Sequence, residues 1–211
     1  MIEPGHALIF LAAALVIAIT PGPGIFYVAA RTLAGGRQEG LASSVGTGLG
    51  GLVHVLGGAV GVSALVMASA EAFAALKLAG AAYLVWLGVK TFRDAQRDVV
   101  TSDDASSTGA GRAFREGIVV EALNPKTAAF FLAFIPQFVD PAAGAVAAQF
   151  VVLGLVSVAL NTLADVVVAF AAASVRGGLT RRPSIVRRFR QGSAAVLCGL
   201  GVSLALARRP T

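Results

Sequence analysis

The sequence from Ala7 to Ala30 reads ALIFLAAALVIAITPGPGIFYVAA and contains no charged residue. It is longer than the roughly 20 apolar residues that an α-helix needs to cross a bilayer core of about 30 Å. Of the 211 residues in the chain, 56% are hydrophobic and 13% are charged, which leaves too few polar groups to cover a soluble domain of this length. The sequence therefore predicts an all-α integral membrane protein.

Further apolar stretches predict about six transmembrane helices in total. The predicted spans are 7–30, 41–70, 72–91, 117–139, 145–175 and a shorter one at 192–207. Residues 92–116 are rich in Arg, Asp, Ser, Thr and Gly, a composition typical of a solvated, flexible loop. We expect a single transmembrane domain over residues 1–211, with repeat one at about 1–91, a cytoplasmic loop at 92–116 and repeat two at about 117–211.

The basic residues behind the net charge of +6 indicate the orientation of the chain. Lys and Arg concentrate in the loops after the first, third and fifth predicted spans, whereas only Arg208 and Arg209 lie on the other side. By the positive-inside rule, we expect those loops in the cytoplasm and both termini outside it. No basic and aromatic surface motif accompanies the arginines, so nucleic acid is not an expected partner.

Two proline-interrupted segments occupy matching places in the two halves. Thr20-Pro21-Gly22-Pro23-Gly24 and Asn124-Pro125-Lys126 each place a polar residue before a proline in the first helix of a half. With three spans per half, the two halves must insert with opposite orientations. Both prolines lie roughly 14 to 15 Å from the predicted cytoplasmic edge, near the membrane midplane. We therefore expect two inverted three-helix repeats with a broken first helix in each.

The same breaks are candidates for binding a solute. Thr20 and Asn124 are each placed to cap a helix whose first residue is a proline. Two half-helix N-termini at mid-membrane would attract an anion such as a carboxylate. The alternative is that the prolines only kink the helices for packing. The predicted binding residues around the breaks are Thr20, Pro21, Gly22, Pro23, Asn124, Pro125 and Lys126.

Ionisable residues within the predicted spans are a second indication of function, because a charge there needs a partner or water. Asp165 shares the depth of Lys126, and we expect it to bind a substrate ammonium or a coupling proton; the alternative is a permanent ion pair with Lys126. Glu121 and His54 are further candidates for proton coupling. Their alternatives are contact with water near the cytoplasmic end for Glu121 and hydrogen-bonded packing for His54. Asn161, one turn before Asp165, is placed to orient that carboxylate or to bridge helices.

Enzymatic chemistry has little support in the sequence. The chain has two histidines and one cysteine, and no Ser-His-acid grouping, metal-ligand cluster or phosphate-binding loop is visible. We therefore expect no catalytic residues, no cofactor and no metal. The expected partners are a small-molecule substrate, a proton and the lipid bilayer, and a homo-oligomer is compatible with the sequence.

Four parts of the sequence carry recognisable motifs: Thr20-Pro21-Gly22-Pro23, GGRQEGL at 35–41, KLAGAAYLVWLG at 77–88 with Lys90, and LNPK at 123–126 leading to Phe131 and Pro136-Gln137-Phe138. They resemble those of the LysE/RhtB superfamily of bacterial amino-acid exporters. The resemblance implies a secondary transporter of the bacterial inner membrane that exports an amino acid or a derivative from the cytoplasm by proton antiport. Glu121 departs from the amide that is commoner at its position. The alternatives are export of another solute or a cation, and a membrane scaffold that transports nothing.

Overall fold

The computed structural model describes residues 4–68, 70–96 and 107–174, with scattered helical residues between 191 and 206. The described residues form helices joined by short connections and contain no strand. The predicted all-helical class is confirmed. The helices are α1 (Pro4–Ile19), α2 (Pro23–Ala68), α3 (Ala70–Gln96), α4 (Ala110–Ala122), α5 (Pro125–Ala129), a π-helical turn (Phe130–Phe134), a 3-10 turn (Ile135–Phe138) and α6 (Val146–Ser174).

Within the part of the chain that the structure describes, three helical stretches are long and apolar enough to cross a membrane: Pro23–Gly61, Ala110–Phe138 and Val146–Ser174. Two shorter apolar stretches, Ala7–Ile19 and Ala81–Lys90, accompany them. The predicted sixth span, 192–207, lies largely outside the described residues.

The first predicted span is broken at its proline-containing segment, as the sequence predicts. α1 ends at Ile19, and α2 begins at Pro23. Pro21 disfavours the helical conformation at the residue before it, and neither Pro21 nor Pro23 has an N–H group to continue the helical hydrogen bonds. The chain therefore breaks within the apolar run.

Between the first two predicted spans the structure has a helix that is interrupted at one residue, Gly36. Within α2, Gly36 has φ 79° and ψ −172°, while the residues on both sides are helical. This φ is in a region that glycine adopts without steric cost. Gly36 therefore divides α2 into α2a, residues 23–35, and α2b, residues 37–68.

Both ends of the predicted loop at 92–116 are helical in the structure, and residues 97–106 lie outside the described residues. α3 continues to Gln96, and α4 begins at Ala110. Gly109 precedes α4 with φ 83°, again a conformation that favours glycine. The end of the predicted loop is therefore the ordered start of a helix.

Two GxxxG spacings in α2b predict close approach to another helix, and one of them is confirmed. A Cβ atom added at Gly46 or Gly50 would collide with a backbone carbonyl oxygen of α4, at Phe114 and Ile118 respectively. At Gly57 and Gly61, the described part of the chain places no atom within 4 Å of such a Cβ. The backbones of α2b and α4 are thus in contact along the first spacing.

The distribution of burial is that of a protein surrounded by lipid. Leu8, Val60 and Leu123 are 69%, 75% and 76% exposed, whereas Lys126 and Asp165 are 3% and 5% exposed. A soluble protein of this length would show the opposite arrangement, because water solvates charges and excludes apolar surface. The apolar exterior and buried charges indicate that this surface faces a membrane.

Gly46→Leu should destabilise the protein by about 1–3 kcal/mol or more, because the new side chain must separate α2b from α4. Gly57→Leu makes the same chemical change in the same helix without a described neighbour, so it should leave stability nearly unchanged. Thermal unfolding of the two purified variants in detergent checks this. Equal melting temperatures would contradict the proposed backbone contact.

Candidate functional site

Lys126 connects the second helix break to the first. Its ammonium donates hydrogen bonds to the carbonyl oxygens of Ile17 at 3.1 Å and Thr20 at 2.8 Å. These carbonyls lie at the C-terminal end of α1, where backbone acceptors lack helical partners and the helix dipole is negative. The buried cation is thus held by the end of another helix.

Thr20 does not cap the following helix, so that prediction is wrong. Its hydroxyl donates to the carbonyl oxygen of Val16 at 2.6 Å, within α1. The carbonyl oxygen of Gly22 accepts from the N–H of Phe26 at 3.0 Å, in the first turn of α2. Because the helix resumes at Pro23 and not at Pro21, Thr20 terminates one helix instead of starting the next.

Asn124 caps α5 as predicted. Its side-chain oxygen accepts from the N–H of Lys126 at 3.0 Å, and Pro125 is the first residue of the helix. The asparagine amide nitrogen donates to Glu121 Oε2 at 2.8 Å. One side chain thus fixes the start of α5 and contacts a buried carboxylate.

Glu121 lies buried at the second break, which corrects its predicted contact with water near the cytoplasmic end. Besides the bond from Asn124, its Oε1 accepts from the Thr127 hydroxyl at 2.6 Å. The carboxylate therefore joins residues on both sides of the break. Glu121 can contact both sides because only Leu123 and Asn124 separate α4 from α5.

The glycines that follow the two prolines make room for the two charged side chains. A Cβ added at Gly22 would lie 3.0 Å from Lys126 Cδ, and one added at Gly24 would lie 2.6 Å from Glu121 Oε2. Gly24 was absent from the predicted site because its neighbour comes from a distant part of the sequence. The motif thus has a steric role in addition to breaking the helix.

His54 contacts the same region through the backbone. Its Nε2 lies 2.8 Å from the carbonyl oxygen of Glu121, and its ring packs against that of Phe131. Because a carbonyl oxygen only accepts, this contact requires a proton on Nε2. The geometry matches the packing alternative for His54.

Asp165 has a different partner from those predicted. The Thr47 hydroxyl donates to its Oδ2 at 2.7 Å, whereas Asn161 donates to the carbonyl oxygen of Ser157. Among the described residues, the ion pairs within 4 Å join Glu116 to Arg31 and to Arg112, and none joins Lys126 to Asp165. The predicted alternative of a permanent Lys126–Asp165 ion pair is therefore wrong.

A narrow buried cavity brings the charged residues together. Its lining includes four of the predicted site residues, Glu121, Asn124, Lys126 and Asp165. Its free volume of about 10 Å³ is close to the minimum for one water molecule. The remaining lining residues are Gly24, Ile25, Thr47, Gly48, Gly51, Thr127, Phe131, Val158, Asn161 and Thr162.

A polar cluster, absent from the predicted site, joins α2 to the start of α4. The hydroxyl of Tyr27 donates to the carbonyl oxygen of Ala113 at 2.8 Å, and the Arg31 guanidinium donates to the Thr108 hydroxyl at 2.8 Å. Glu39 Oε1 accepts from the Ser107 hydroxyl at 2.6 Å. Arg31 lies about 10 Å along α2a from Gly24 in the cavity wall, so the cluster is near one end of the cavity.

Comparison with known proteins decides the class. The sequence model of one family, described as LysE type translocator, matches residues 15–208. The chain belongs to the LysE type translocator family. Members of this family are transporters, so this LysE type translocator is a transporter and not an enzyme, which confirms the resemblance in its motifs.

Relatives of this translocator include two proteins named for efflux. A membrane protein of Vibrio cholerae is 33% identical over 95% of the chain and 97% of its own length. The homoserine/homoserine lactone efflux protein of Salmonella typhimurium is 34% identical over 72% and 73% of the two chains. The leucine efflux protein of Klebsiella pneumoniae is 30% identical over 70% of each. No solved structure matches the chain.

Gly24→Ala should destabilise the translocator by about 1–3 kcal/mol, because the methyl group displaces the Glu121 carboxylate from Asn124 and Thr127. Gly111→Ala, at a helical glycine without a described neighbour, is the matched control. A double-mutant cycle with Glu121→Ala, measured by unfolding, tests the cause. If the cost of Gly24→Ala is the same with and without the Glu121 side chain, the steric explanation fails.

Proposed function

We propose that this translocator exports an amino acid, or an amino-acid derivative, with a small uncharged side chain from the bacterial cytoplasm. The observation behind the proposal is the buried polar cavity between two broken helices in a chain of this family. Two relatives are named for efflux of homoserine, homoserine lactone or leucine, which have uncharged side chains. The substrate side chain would face the apolar wall formed by Ile25, Phe131 and Val158.

In this proposal, Asp165 binds the substrate ammonium. One of its oxygens accepts from Thr47, and the side chain lies in the cavity wall without an ion pair to Lys126. A carboxylate in a membrane interior is costly to retain without a function or a partner. Asp165 is also the proposed proton site, so that substrate and proton alternate on one carboxylate in antiport.

The opposite end of the substrate faces the break at Asn124, Pro125 and Lys126. In the predicted arrangement, Lys126 binds the substrate carboxylate while Thr20, Pro21, Gly22 and Pro23 shape the adjacent wall. In the present geometry the ammonium donates two of its three N–H groups to carbonyl oxygens. The third N–H is the one that would bind a substrate carboxylate.

Transport also requires the cavity to open, since its volume is about that of one water molecule. We propose alternating access between two inverted three-helix repeats, 1–91 and 117–211, with about six spans in all. Support comes from the paired breaks at Thr20 and Asn124. The contact of Arg31 with Thr108 agrees with a shared side for the loops that flank α2a and α4. We propose that this side is cytoplasmic.

Asp165→Asn and Lys126→Ala should each lower export at least about tenfold, because each removes a charge that the substrate would meet in a medium of low dielectric. The measurement is efflux of preloaded radiolabelled homoserine and leucine from cells with matched membrane levels of each variant. Asp140→Asn, an exposed carboxylate, is the matched control. Wild-type efflux in both site variants would refute the site assignment.

Both termini should lie outside the cytoplasm if the chain has six spans. A phosphatase fused to the C-terminus should then be active, and a fluorescent protein that folds only in the cytoplasm should be dark. Fusions at residue 100, in the proposed cytoplasmic loop, should give the reverse pattern. A bright C-terminal fluorescent fusion would contradict six spans.

A further inference from the structure

Each proline break removes a hydrogen-bond donor from one particular backbone carbonyl. In an α-helix, a carbonyl oxygen accepts from the N–H group four residues later, and proline has no N–H group. Pro21 therefore leaves the carbonyl oxygen of Ile17 without this donor. Pro125 has the same effect on Glu121. Each oxygen keeps one backbone bond, from the N–H of the residue before the proline, at 3.3 Å and 2.9 Å respectively. A carbonyl oxygen has two lone pairs, so each can accept from a second donor.

The second donor comes from the other half of the chain in both cases. The Lys126 ammonium donates to the Ile17 carbonyl oxygen at 3.1 Å. His54 Nε2, in α2b, lies 2.8 Å from the Glu121 carbonyl oxygen. Because a carbonyl oxygen only accepts, the ring must carry a proton on Nε2. The two breaks are thus held by equivalent contacts, from a lysine at the first and from a histidine at the second.

The hydrogen bond from His54 affects the cavity through Glu121. The Glu121 side chain lines the cavity and joins Asn124 to Thr127 across the break, so the position of its backbone decides where this side chain lies. The His54 ring also packs against Phe131, a second lining residue, with the ring centroids 5.7 Å apart. Neither contact offers a group that takes up the Nε2 proton, since one is a backbone carbonyl and the other is a phenyl ring.

We infer that His54 is a positioning residue for transport, whose Nε2–H group replaces the donor that Pro125 lacks and keeps Glu121 in the cavity wall. This role in transport rests on the proposed export function. It differs from proton coupling, which requires His54 to gain and lose a proton in each transport cycle. A neutral hydrogen-bond donor of the same reach should therefore replace the histidine.

Two substitutions separate the hydrogen bond from the packing of the ring. In His54→Gln, the amide nitrogen is the same number of bonds from Cα as Nε2 and can donate to the same oxygen. His54→Leu has no donor, and both variants lose the ring that packs against Phe131. We expect the melting temperature in detergent to be lower in His54→Leu than in His54→Gln by about 2–4 °C or more, because an acceptor loses its partner.

Pro125→Ala tests why the hydrogen bond is needed. An alanine at this position restores the N–H group, so the helix itself can supply the donor to Glu121. The difference in melting temperature between His54→Gln and His54→Leu should therefore shrink by at least about half in this background. An equal difference in both backgrounds overturns the inference, and so does the lack of a difference in the wild-type background.

Export tests the role in transport. Efflux of preloaded radiolabelled homoserine and leucine is measured from about pH 6 to about pH 8, where histidine titrates, in cells with matched membrane levels of each variant. His54→Leu should lower efflux at least about fivefold, whereas His54→Gln should stay within about twofold of the wild type with the same pH dependence. Glutamine cannot carry a proton. Loss of efflux or of its pH dependence in His54→Gln therefore overturns the inference in favour of proton coupling.

The two experiments also separate this inference from the proposed function. If the wild type exports neither solute, the proposed function fails and the role of His54 in transport fails with it, while the melting temperatures still decide whether the bond to Glu121 forms. If His54→Leu exports as fast as the wild type, the positioning role is overturned and the export function stands. If His54→Leu does not reach the membrane, normal export by His54→Gln supports the inference, since both lack the ring and only one lacks the donor.

Discussion

The hydrogen bonds from the Lys126 ammonium to the end of α1 are the interaction on which the centre of the protein depends. A cation buried among membrane helices must find acceptors, and the end of α1 supplies the carbonyl oxygens of Ile17 and Thr20. The long side chain passes close to Gly22, where an added Cβ would lie 3.0 Å from Lys126 Cδ. The Thr20 break, Gly22 and Lys126 therefore depend on one another, because each would be energetically unfavourable without the other two. The Glu121 carboxylate, against Gly24, completes it from the opposite half of the chain.

Small residues also allow close contact between helices elsewhere in the protein. Lipid supplies little hydrophobic drive for helices to associate, so close backbone contact has to supply van der Waals attraction instead. Gly46 and Gly50 allow this against α4, and Gly117 of α4 faces the backbone of α2 at Ser43 in return. The polar residues of the cavity are thereby held between helices whose spacing is set by backbone contact, without a layer of large side chains between them.

The sequence predicted well those features that depend on local chemistry. The apolar runs predicted membrane helices, and proline after asparagine predicted the cap at Asn124. The errors have a common origin in contacts between distant segments. Whether Thr20 ends one helix or starts the next depends on where the chain resumes its helix, and the partner of Asp165 is Thr47, far away in sequence. The alternative of water contact for Glu121 fails because its side chain is buried by contacts made across a break, which position along one straight helix does not reveal. The family motifs identified the class but contain no information about which pairs of side chains meet.

The small volume of the central cavity limits how protons can move through it. Proton conduction through a protein needs a continuous file of water molecules or of titratable groups in hydrogen-bond contact. In the described part of the chain, the space beside Asp165 holds about one water molecule, and Ile25, Phe131 and Val158 border it with groups that cannot pass a proton. A cavity of this volume cannot hold a continuous file of water molecules. Delivery of a proton to Asp165 through water therefore requires the cavity to widen first.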